Sequence, residues 1–206
     1  SPSIDAGDPA SEFDPDGTIA DQGAFYYDQI NAPIVWGCST DPDATNYNPD
    51  ANAEFPCLYN IGPDWYVSTN GADDVNDGSE EFPYATIQKG IDSSSDEDFV
   101  FVQDGTYIEN INFNEKNITV QSINGPESTI INGNQSGSVV IFANGEETAL
   151  LSGFTLTNGR ASRGGGVHIT NSNPQLSYLI VIDNLASTGT PYGGGIFIEN
   201  ASPNIS

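Results

Sequence analysis

The chain has very little positive charge. Four Lys and Arg residues stand against 29 Asp and Glu residues among 206, which gives a formal net charge of −25. Four cations cannot neutralise a phosphate backbone or an anionic lipid surface, so nucleic acids and anionic membranes are not expected as partners. The excess of carboxylates favours divalent cations, which take oxygen ligands. The alternative interpretation is that surface charge only keeps the chain soluble.

Long apolar runs and methionine are also missing. No run of about 18 apolar residues is present, so no segment is predicted to insert into a membrane. The sequence contains neither a signal peptide nor any Met. Because a natural gene product begins with Met, we expect that this chain was processed or cut from a longer one.

Cysteine is limited to Cys38 and Cys57, which lie 19 positions apart in a stretch rich in Asp, Asn and Pro. An even count in a chain with the composition of an exported protein predicts one disulfide. The alternative is a pair of free thiols in a cytosolic protein. The low Lys content and the high content of Gly, Asn, Ser and Thr favour export. We therefore expect a secreted protein at the cell surface.

The sequence divides into three segments by composition. Residues 1–30 are acidic and rich in turn formers, residues 31–63 contain the Cys-flanked loop, and residues 64–206 consist of short β-branched runs between Gly, Asn and Asp. Runs of three to five such residues predict an all-β fold. The predicted strands of the third segment start at Phe99, Ile111, Asn117, Thr129, Ser138, Phe154 and Val167.

The third segment contains an internal repeat. GGGVHITNSNPQLS, which begins at Gly164, recurs 29 residues later as GGGIFIENASPNIS, which begins at Gly193. A period of this length is typical of one coil of a solenoid. We interpret the segment as a parallel β-helix whose two Gly triplets stack at one corner, because Gly adopts left-handed backbone conformations without a steric penalty.

From residue 64 onward the chain resembles pectin-lyase-like right-handed parallel β-helix proteins. The phrases WYVSTNGADDVNDGSEEFPYATIQKGID, FVFVQDGTYIENINF and LSGFTLTNG carry this resemblance. It implies a cap in which a short helix, predicted over residues 84–91, covers the end of the solenoid. Tyr84, Ile87 and Ile91 are expected to face the core at helical spacing. Residues 1–28 resemble the terminal coil of secreted bacterial members of the same family.

The segment GCSTDPDATNYNPDANAEFPC resembles a calcium-loop repeat of Bacteroidetes-type cell-surface proteins, although its last four residues, EFPC, depart from the common ending. Alternating side-chain oxygens in a tight loop suit a hard cation that takes roughly six to eight ligands. A similar alternation surrounds Gly17. The alternative is a set of Asx turns that cap their own backbone. The predicted calcium ligands are Asp14, Asp16, Asp21, Asp41, Asp43, Asn46, Asn48, Asp50 and Asn52.

The sequence shows no convincing catalytic group. Arg160 and Arg163 precede a Gly corner, and His168 follows on the next strand, where its alternation with Val167 and Ile169 turns it outward. A pair of carboxylates on adjacent strands does not accompany it. We therefore do not expect an enzyme. The alternatives are a polysaccharide lyase or hydrolase, or a glycan-binding adhesin, whose active coils lie outside this chain.

The two ends of the chain share one phrase. Ser202-Pro-Asn-Ile at the C-terminal end matches Ser1-Pro-Ser-Ile at the N-terminal end. Because an open solenoid edge invites strand addition, we predict a structural module that binds copies of itself head to tail in a calcium-stabilised surface filament. The alternative is a longer, covalently continuous parent chain of which this chain is one part. Cell-surface glycans are a second expected class of partner. The predicted contact residues are Ser1, Pro2, Ser3, Ile4, Ile196, Ile198 and Ile205.

Overall fold

The computed structural model describes residues 35–41, 44, 47–51, 53–54, 57–58, 60–143, 145–187 and 191–206. Within these ranges the chain is a parallel β-solenoid of about four coils with a single short helix. The predicted all-β parallel β-helix is confirmed. The predicted terminal-coil segment, residues 1–30, lies outside the described residues.

Short strands and one helix make up the described chain. The helix is α1 (Ile87–Ser93), and its seven residues are far fewer than a bilayer crossing requires. The strands are β1 (Trp36–Gly37), β2 (Ala53–Glu54), β3 (Asp64–Val67), β4 (Phe99–Val102), β5 (Gly105–Ile108), β6 (Ile111–Asn112), β7 (Thr119–Ser122), β8 (Thr129–Asn132), β9 (Val140–Ala143), β10 (Leu150–Ser152), β11 (Thr155–Thr157), β12 (Arg160–Ala161), β13 (Val167–Thr170), β14 (Gln175–Ser177), β15 (Ile180–Val181), β16 (Leu185–Ala186), β17 (Ile196–Glu199) and β18 (Asn204–Ile205).

Three stacked sheets form the walls of the solenoid. Sheet 1 has the order β3-β4-β7-β10-β14-β18, sheet 2 has the order β5-β8-β11-β15, and sheet 3 has the order β6-β9-β13-β17. Every strand pair within these sheets is parallel, as expected when successive coils supply successive strands. A two-stranded pair, β12-β16, lines one corner.

The core consists of columns of apolar side chains that repeat once per coil. In sheet 3, Ile111, Val140 and Val167 are in register and fully buried, and Ile196 continues the column. Side chains alternate between the two faces of a strand, so every second residue enters the core. Full burial of one such side chain stabilises the fold by about 1.5–3 kcal/mol. The columns therefore lock each coil in register with the one before it.

Helix α1 covers one end of the solenoid. It begins at Ile87 because Thr86, in an extended conformation, is its N-cap and accepts a 3.2 Å hydrogen bond from the Lys89 backbone N–H. The helix predicted over residues 84–91 thus starts three residues too early, since Tyr84 instead forms a bridge with Val67. Tyr84, Ile87 and Ile91 do face the core, as expected.

The two Gly triplets stack at one corner, as the repeat predicts. The Gly165 N–H donates to the Gly193 carbonyl across 3.2 Å, and the Val167 N–H donates to the Gly195 carbonyl across 2.8 Å. The first residue of each triplet, Gly164 and Gly193, has φ of 61° and 60°. A Cβ atom on Gly164 would clash with the carbonyl oxygen of Val167, and one on Gly193 with that of Ile196, so the corner requires Gly there.

Candidate assembly interface and acidic loop

Carboxylates from two loops hold the capped end of the solenoid. Asp73 accepts hydrogen bonds from the backbone N–H groups of Ala85 (2.7 Å) and Thr86 (3.1 Å). Glu109 accepts from the N–H groups of Ile87 (2.9 Å) and Gln88 (3.0 Å). Burial raises the pKa of Glu109, while these two N–H groups oppose the rise. The first turn of α1 is therefore anchored to the coils beneath it.

The opposite end of the solenoid is open among the described residues. Leu176 and Ile169 are 1% and 0% exposed, whereas Ile205 and Ile198, their partners in the last coil, are 50% and 42% exposed. Ile196 is half-buried. The structure thus brings together the three predicted contact residues Ile196, Ile198 and Ile205 at this edge. The other four, Ser1, Pro2, Ser3 and Ile4, lie outside the described residues.

Strand β18 presents backbone groups at this edge. The N–H of Asn204 donates to the Pro174 carbonyl (3.0 Å), and the N–H of Ser206 donates to the Leu176 carbonyl (3.0 Å). In a parallel ladder, alternate residues bond to opposite neighbours. The backbone N–H and carbonyl of Ile205 therefore face away from β14, toward the position that a further strand would take.

A charged and aromatic cluster lies beside the open end, on the outer face of sheet 3. The Arg163 Nη1 is 3.3 Å from a Glu199 carboxylate oxygen, and the guanidinium lies 5.2 Å from the Phe197 ring centroid and 6.0 Å from that of Tyr192. His168 contacts the edge of Phe197 at 5.4 Å between ring centroids. Burial lowers the pKa of His168, Glu199 opposes this shift and Arg163 adds to it.

Sequence reasoning identified His168 and Arg163 but missed Glu199. The sequence did contain the signal. An offset of 29 residues pairs Glu199 with Thr170, which places Glu199 on the strand next to that of His168. The predicted outward direction of His168 agrees with its half-buried position on β13. The cluster pairs one carboxylate with one guanidinium around an imidazole.

A second outward cluster is aromatic and lies near the capped end, on sheet 1. The rings of Tyr66 and Phe101 are stacked with centroids 5.3 Å apart, and those of Phe99 and Phe101 are 5.9 Å apart. Phe99 is 40% exposed. Trp65, the neighbour of Tyr66, points inward instead and donates a 2.9 Å hydrogen bond to Asp98. The sequence analysis did not predict that these rings lie together, because 35 residues separate Tyr66 from Phe101.

The predicted disulfide between Cys38 and Cys57 is confirmed. The Cα atoms are 4.8 Å apart, within the usual span of such a bond. Strands β1 and β2 pair inside the segment, with Trp36 opposite Ala53. The Thr40 hydroxyl lies 3.5 Å from the Cys57 Sγ. The bond therefore closes an acidic loop whose flanking strands already lie side by side.

Part of the predicted calcium set lies in this loop. The described chain includes Asp41, Asn48 and Asp50, and Asn48 Oδ1 accepts a 3.0 Å hydrogen bond from the Asp50 N–H, an Asx turn. Among the described residues, no three His, Cys, Asp or Glu side chains are grouped as metal ligands. Calcium binding stays a prediction here. The remaining predicted ligands lie outside the described residues: Asp14, Asp16, Asp21, Asp43, Asn46 and Asn52.

Comparison with known proteins gives one family. A family model described as "Protein of unknown function (DUF1565)" matches residues 69–206, about two thirds of the chain. The matched region contains α1 and every strand from β4 to β18. No curated protein and no solved structure matches the chain.

Proposed function

Because the chain belongs to the DUF1565 family, whose function is unknown, we propose its role from its geometry: an extracellular structural module that binds copies of itself head to tail in a surface filament. The difference between the two ends supports this role. Helix α1 covers one end, whereas the inward side chains Ile198 and Ile205 are 42% and 50% exposed at the other. A parallel edge with apolar inward side chains is suited to receive a further coil, whether from a second copy or from a continuation of the same chain.

The N-terminal segment of a second copy is the proposed occupant. Residues 1–5 read SPSID, and residues 202–206 read SPNIS. In this alignment Ile4 corresponds to Ile205, which itself stacks on the buried Leu176. Ile4 of a second copy is therefore expected to cover Ile205 and extend the inward column of sheet 1. Burial of each such side chain contributes about 1.5–3 kcal/mol.

Charge also favours this contact. Residues 1–28 contain seven carboxylates and no Lys or Arg, while Arg160 and Arg163, half of all the cations, lie one coil before the open edge, where they pair with Leu185 and Tyr192 of the last coil. Opposite charges steer association and fix its orientation.

The proposed role also includes an oxidising location outside the cell and stabilisation of the filament by calcium. A disulfide is typical of proteins outside the reducing cytosol, in keeping with a cell-surface location such as that of the Bacteroidetes-type proteins that the acidic loop resembles. Copies with a net charge of −25 repel one another. Calcium held by the acidic loop, through Asp41, Asn48 and Asp50 among others, is proposed to lower that repulsion and to stabilise the filament.

Replacing one residue on either side of the head-to-tail contact by Asp tests the proposal. We expect Ile4→Asp and Ile205→Asp each to abolish filaments, seen by negative-stain electron microscopy and light scattering, with unchanged circular dichroism. Ile61→Asp is the matched control, because Ile61 is 88% exposed and lies outside the solenoid strands. Deletion of residues 1–28 is expected to act like Ile4→Asp. Filaments of Ile4→Asp equal to those of the unmodified chain would falsify the head-to-tail contact.

Glycan binding is a second candidate function, favoured by the outward rings of Tyr66, Phe99 and Phe101. Exposed aromatic faces stack on the apolar faces of sugar rings. We expect Phe99→Ala with Phe101→Ala to weaken retention on neutral polysaccharide gels by about tenfold, which corresponds to a stacking energy near 1.4 kcal/mol. Thr119→Ala, in the adjacent strand opposite Phe99, is the control. Equal retention of both variants and the unmodified chain would argue against this candidate.

A further inference from the structure

Pairs of Asn followed by Gly recur along the chain. In such a pair the backbone nitrogen of Gly can attack the side-chain amide carbon of Asn, because Gly has no Cβ atom to hinder the approach. The new C–N bond closes a five-membered succinimide ring and ammonia leaves. Water then opens the ring at either carbonyl and leaves Asp or isoaspartate. The five pairs are Asn70-Gly71, Asn124-Gly125, Asn132-Gly133, Asn144-Gly145 and Asn158-Gly159.

The fold engages the attacking nitrogen of every pair. A backbone N–H that donates a hydrogen bond must lose that bond before its nitrogen can attack, so the folded chain suppresses the reaction. The five bonds run from Gly71 to the Ser68 carbonyl (2.8 Å), from Gly125 to the Ser122 hydroxyl (2.9 Å), from Gly133 to the Thr157 carbonyl (2.9 Å), from Gly145 to the Ser172 hydroxyl (3.2 Å) and from Gly159 to Asn184 Oδ1 (2.7 Å).

Four of the five acceptors are held within the solenoid. Ser68 and Ser122 lie three residues before the Gly that they bind, in the same turn. Thr157 ends β11, which pairs with β15 of the following coil. Ser172 is fully buried just after β13, which pairs with β17. These four bonds therefore do not depend on the outermost part of the last coil.

The fifth acceptor, Asn184, belongs to the last described coil. It lies between β15 and β16, 25 residues after Gly159, and is half-buried. Its amide nitrogen also donates a 2.8 Å hydrogen bond to the Leu156 carbonyl. In a solenoid each coil is stabilised by its neighbours, so a terminal coil opens more readily than an interior one. Opening of this coil removes Asn184 from Gly159.

We infer that Asn158 is a self-modification site that the last coil controls. When Asn184 is released, the Gly159 nitrogen attacks the Asn158 side chain, and water completes the conversion to Asp or isoaspartate. Asn158-Gly159 is therefore the first of the pairs to react in the folded chain. This inference is independent of the proposed filament.

The modification prevents the coil from closing as before. The Asn158 carbonyl accepts a 2.7 Å hydrogen bond from the Gln135 N–H of the preceding coil. In isoaspartate the main chain runs through the former side chain, which inserts one methylene before Gly159 and turns that carbonyl into part of a free carboxylate. Both the bond from Gln135 and the bond to Asn184 are then displaced. The product is thus a permanent record that the last coil has opened.

The test compares Asn184→Ala with Asn184→Asp, as single modules at mildly alkaline pH. Both variants lose the amide donor to Leu156, but Asp keeps an oxygen that accepts from Gly159. Peptide mass spectrometry and an enzymatic isoaspartate assay follow each site. We expect Asn158 to react about tenfold faster in Asn184→Ala than in Asn184→Asp or the unmodified chain, which corresponds to a loss of about 1.4 kcal/mol. Equal rates in the two variants would overturn the inference, as would an equal acceleration at Asn124.

A second readout needs no substitution. In the unmodified chain we expect Asn158 to be modified before Asn70, Asn124 and Asn132, although Asn70 and Asn124 are the more exposed. Earlier modification of Asn124 would refute the control by the last coil. Exposed Asn204 on β18 has no following Gly and should stay unmodified over the same period.

Filaments give a separate comparison that rests on the proposed head-to-tail contact. A second copy stacked on the open edge holds the last coil closed, so Asn158 should react more slowly in filaments than in Ile4→Asp, which is expected not to assemble. Equal rates in these two samples would count against the head-to-tail contact. The order of sites in single modules alone decides the inference about Asn158.

Discussion

The side-chain nitrogen of Lys116 lies 2.7 Å from the carbonyl oxygen of Ile91, in the last turn of helix α1. The same ammonium group donates to the carbonyls of Asp92 (2.8 Å) and Ser94 (2.7 Å). All three of its protons are thus used at the C-terminus of the helix, where the last carbonyls lack partners within the helix.

Lys116→Met is therefore expected to destabilise the cap. Hydrogen bonds to a charged group are strong, and we expect a loss of about 2 kcal/mol in the free energy of unfolding. Urea unfolding followed by circular dichroism measures this. Lys89→Met is the matched control, because Lys89 lies 5.3 Å from the Tyr84 ring centroid and should contribute less than about 1 kcal/mol. Equal losses in the two variants would contradict the capping role of Lys116.

The stacked Gly corner allows a test of packing between coils. A Cβ atom on Gly165 would lie 2.7 Å from the Gly194 carbonyl oxygen, whereas a Cβ on Gly194 would have no neighbour closer than 3.1 Å. We expect Gly165→Ala to cost about 2 kcal/mol, as overpacking typically does, and Gly194→Ala to cost less than about 1 kcal/mol. Thermal unfolding of the two variants at low protein concentration checks this. Similar melting temperatures would show that the corner relaxes without cost.

The stability of the chain should depend on pH through His168. Burial holds the pKa of His168 below its ordinary value in the folded chain, despite the opposing charge of Glu199. As the pH falls below about 6.5, the unfolded chain binds a proton at this residue before the folded chain does, so stability decreases. His168→Gln should therefore flatten the fall in melting temperature between neutral pH and pH of about 5. An identical pH dependence in both proteins would exclude this contribution.

Removal of calcium should destabilise the chain. The predicted ligands, Asp41 and Asp50 among them, repel one another without a cation. A ligand present at about 100 times its dissociation constant adds about 2.7 kcal/mol to stability. We expect the melting temperature to fall in excess chelator and to recover when calcium, but not magnesium, is restored. An unchanged melting temperature in chelator would count against a calcium site.

Much of the fold could be predicted because similar phrases recur at a fixed interval. The 29-residue repeat predicted that the two Gly triplets stack, and Val167 does pair with Ile196. Strand starts were less accurate where a polar residue has a role at a corner. The strand predicted from Asn117 begins at Thr119, because the Asn117 Oδ1 accepts a 2.8 Å hydrogen bond from the Thr148 N–H in the next coil.

Contacts between coils of unequal length could not be predicted. In sheet 1, Phe99 pairs with Thr119 after 20 residues, and Thr119 pairs with Leu150 after 31. When the interval changes in this way, sequence spacing no longer tells which outward side chains become neighbours. The aromatic cluster of Tyr66, Phe99 and Phe101 was missed for this reason. The inward direction of Ile205 was predictable, since its phrase repeats that of the buried Leu176.

The stacking of coils determines how the molecule responds to force. Hydrogen bonds run along the solenoid axis, while the covalent chain winds around it, so tension along the axis acts first on the bonds between coils. A coil such as the one from Val167 to Ile196 spans about 4.8 Å when folded but releases about 100 Å of chain when it peels away. A solenoid built in this way lengthens in steps and dissipates mechanical work before any covalent bond breaks.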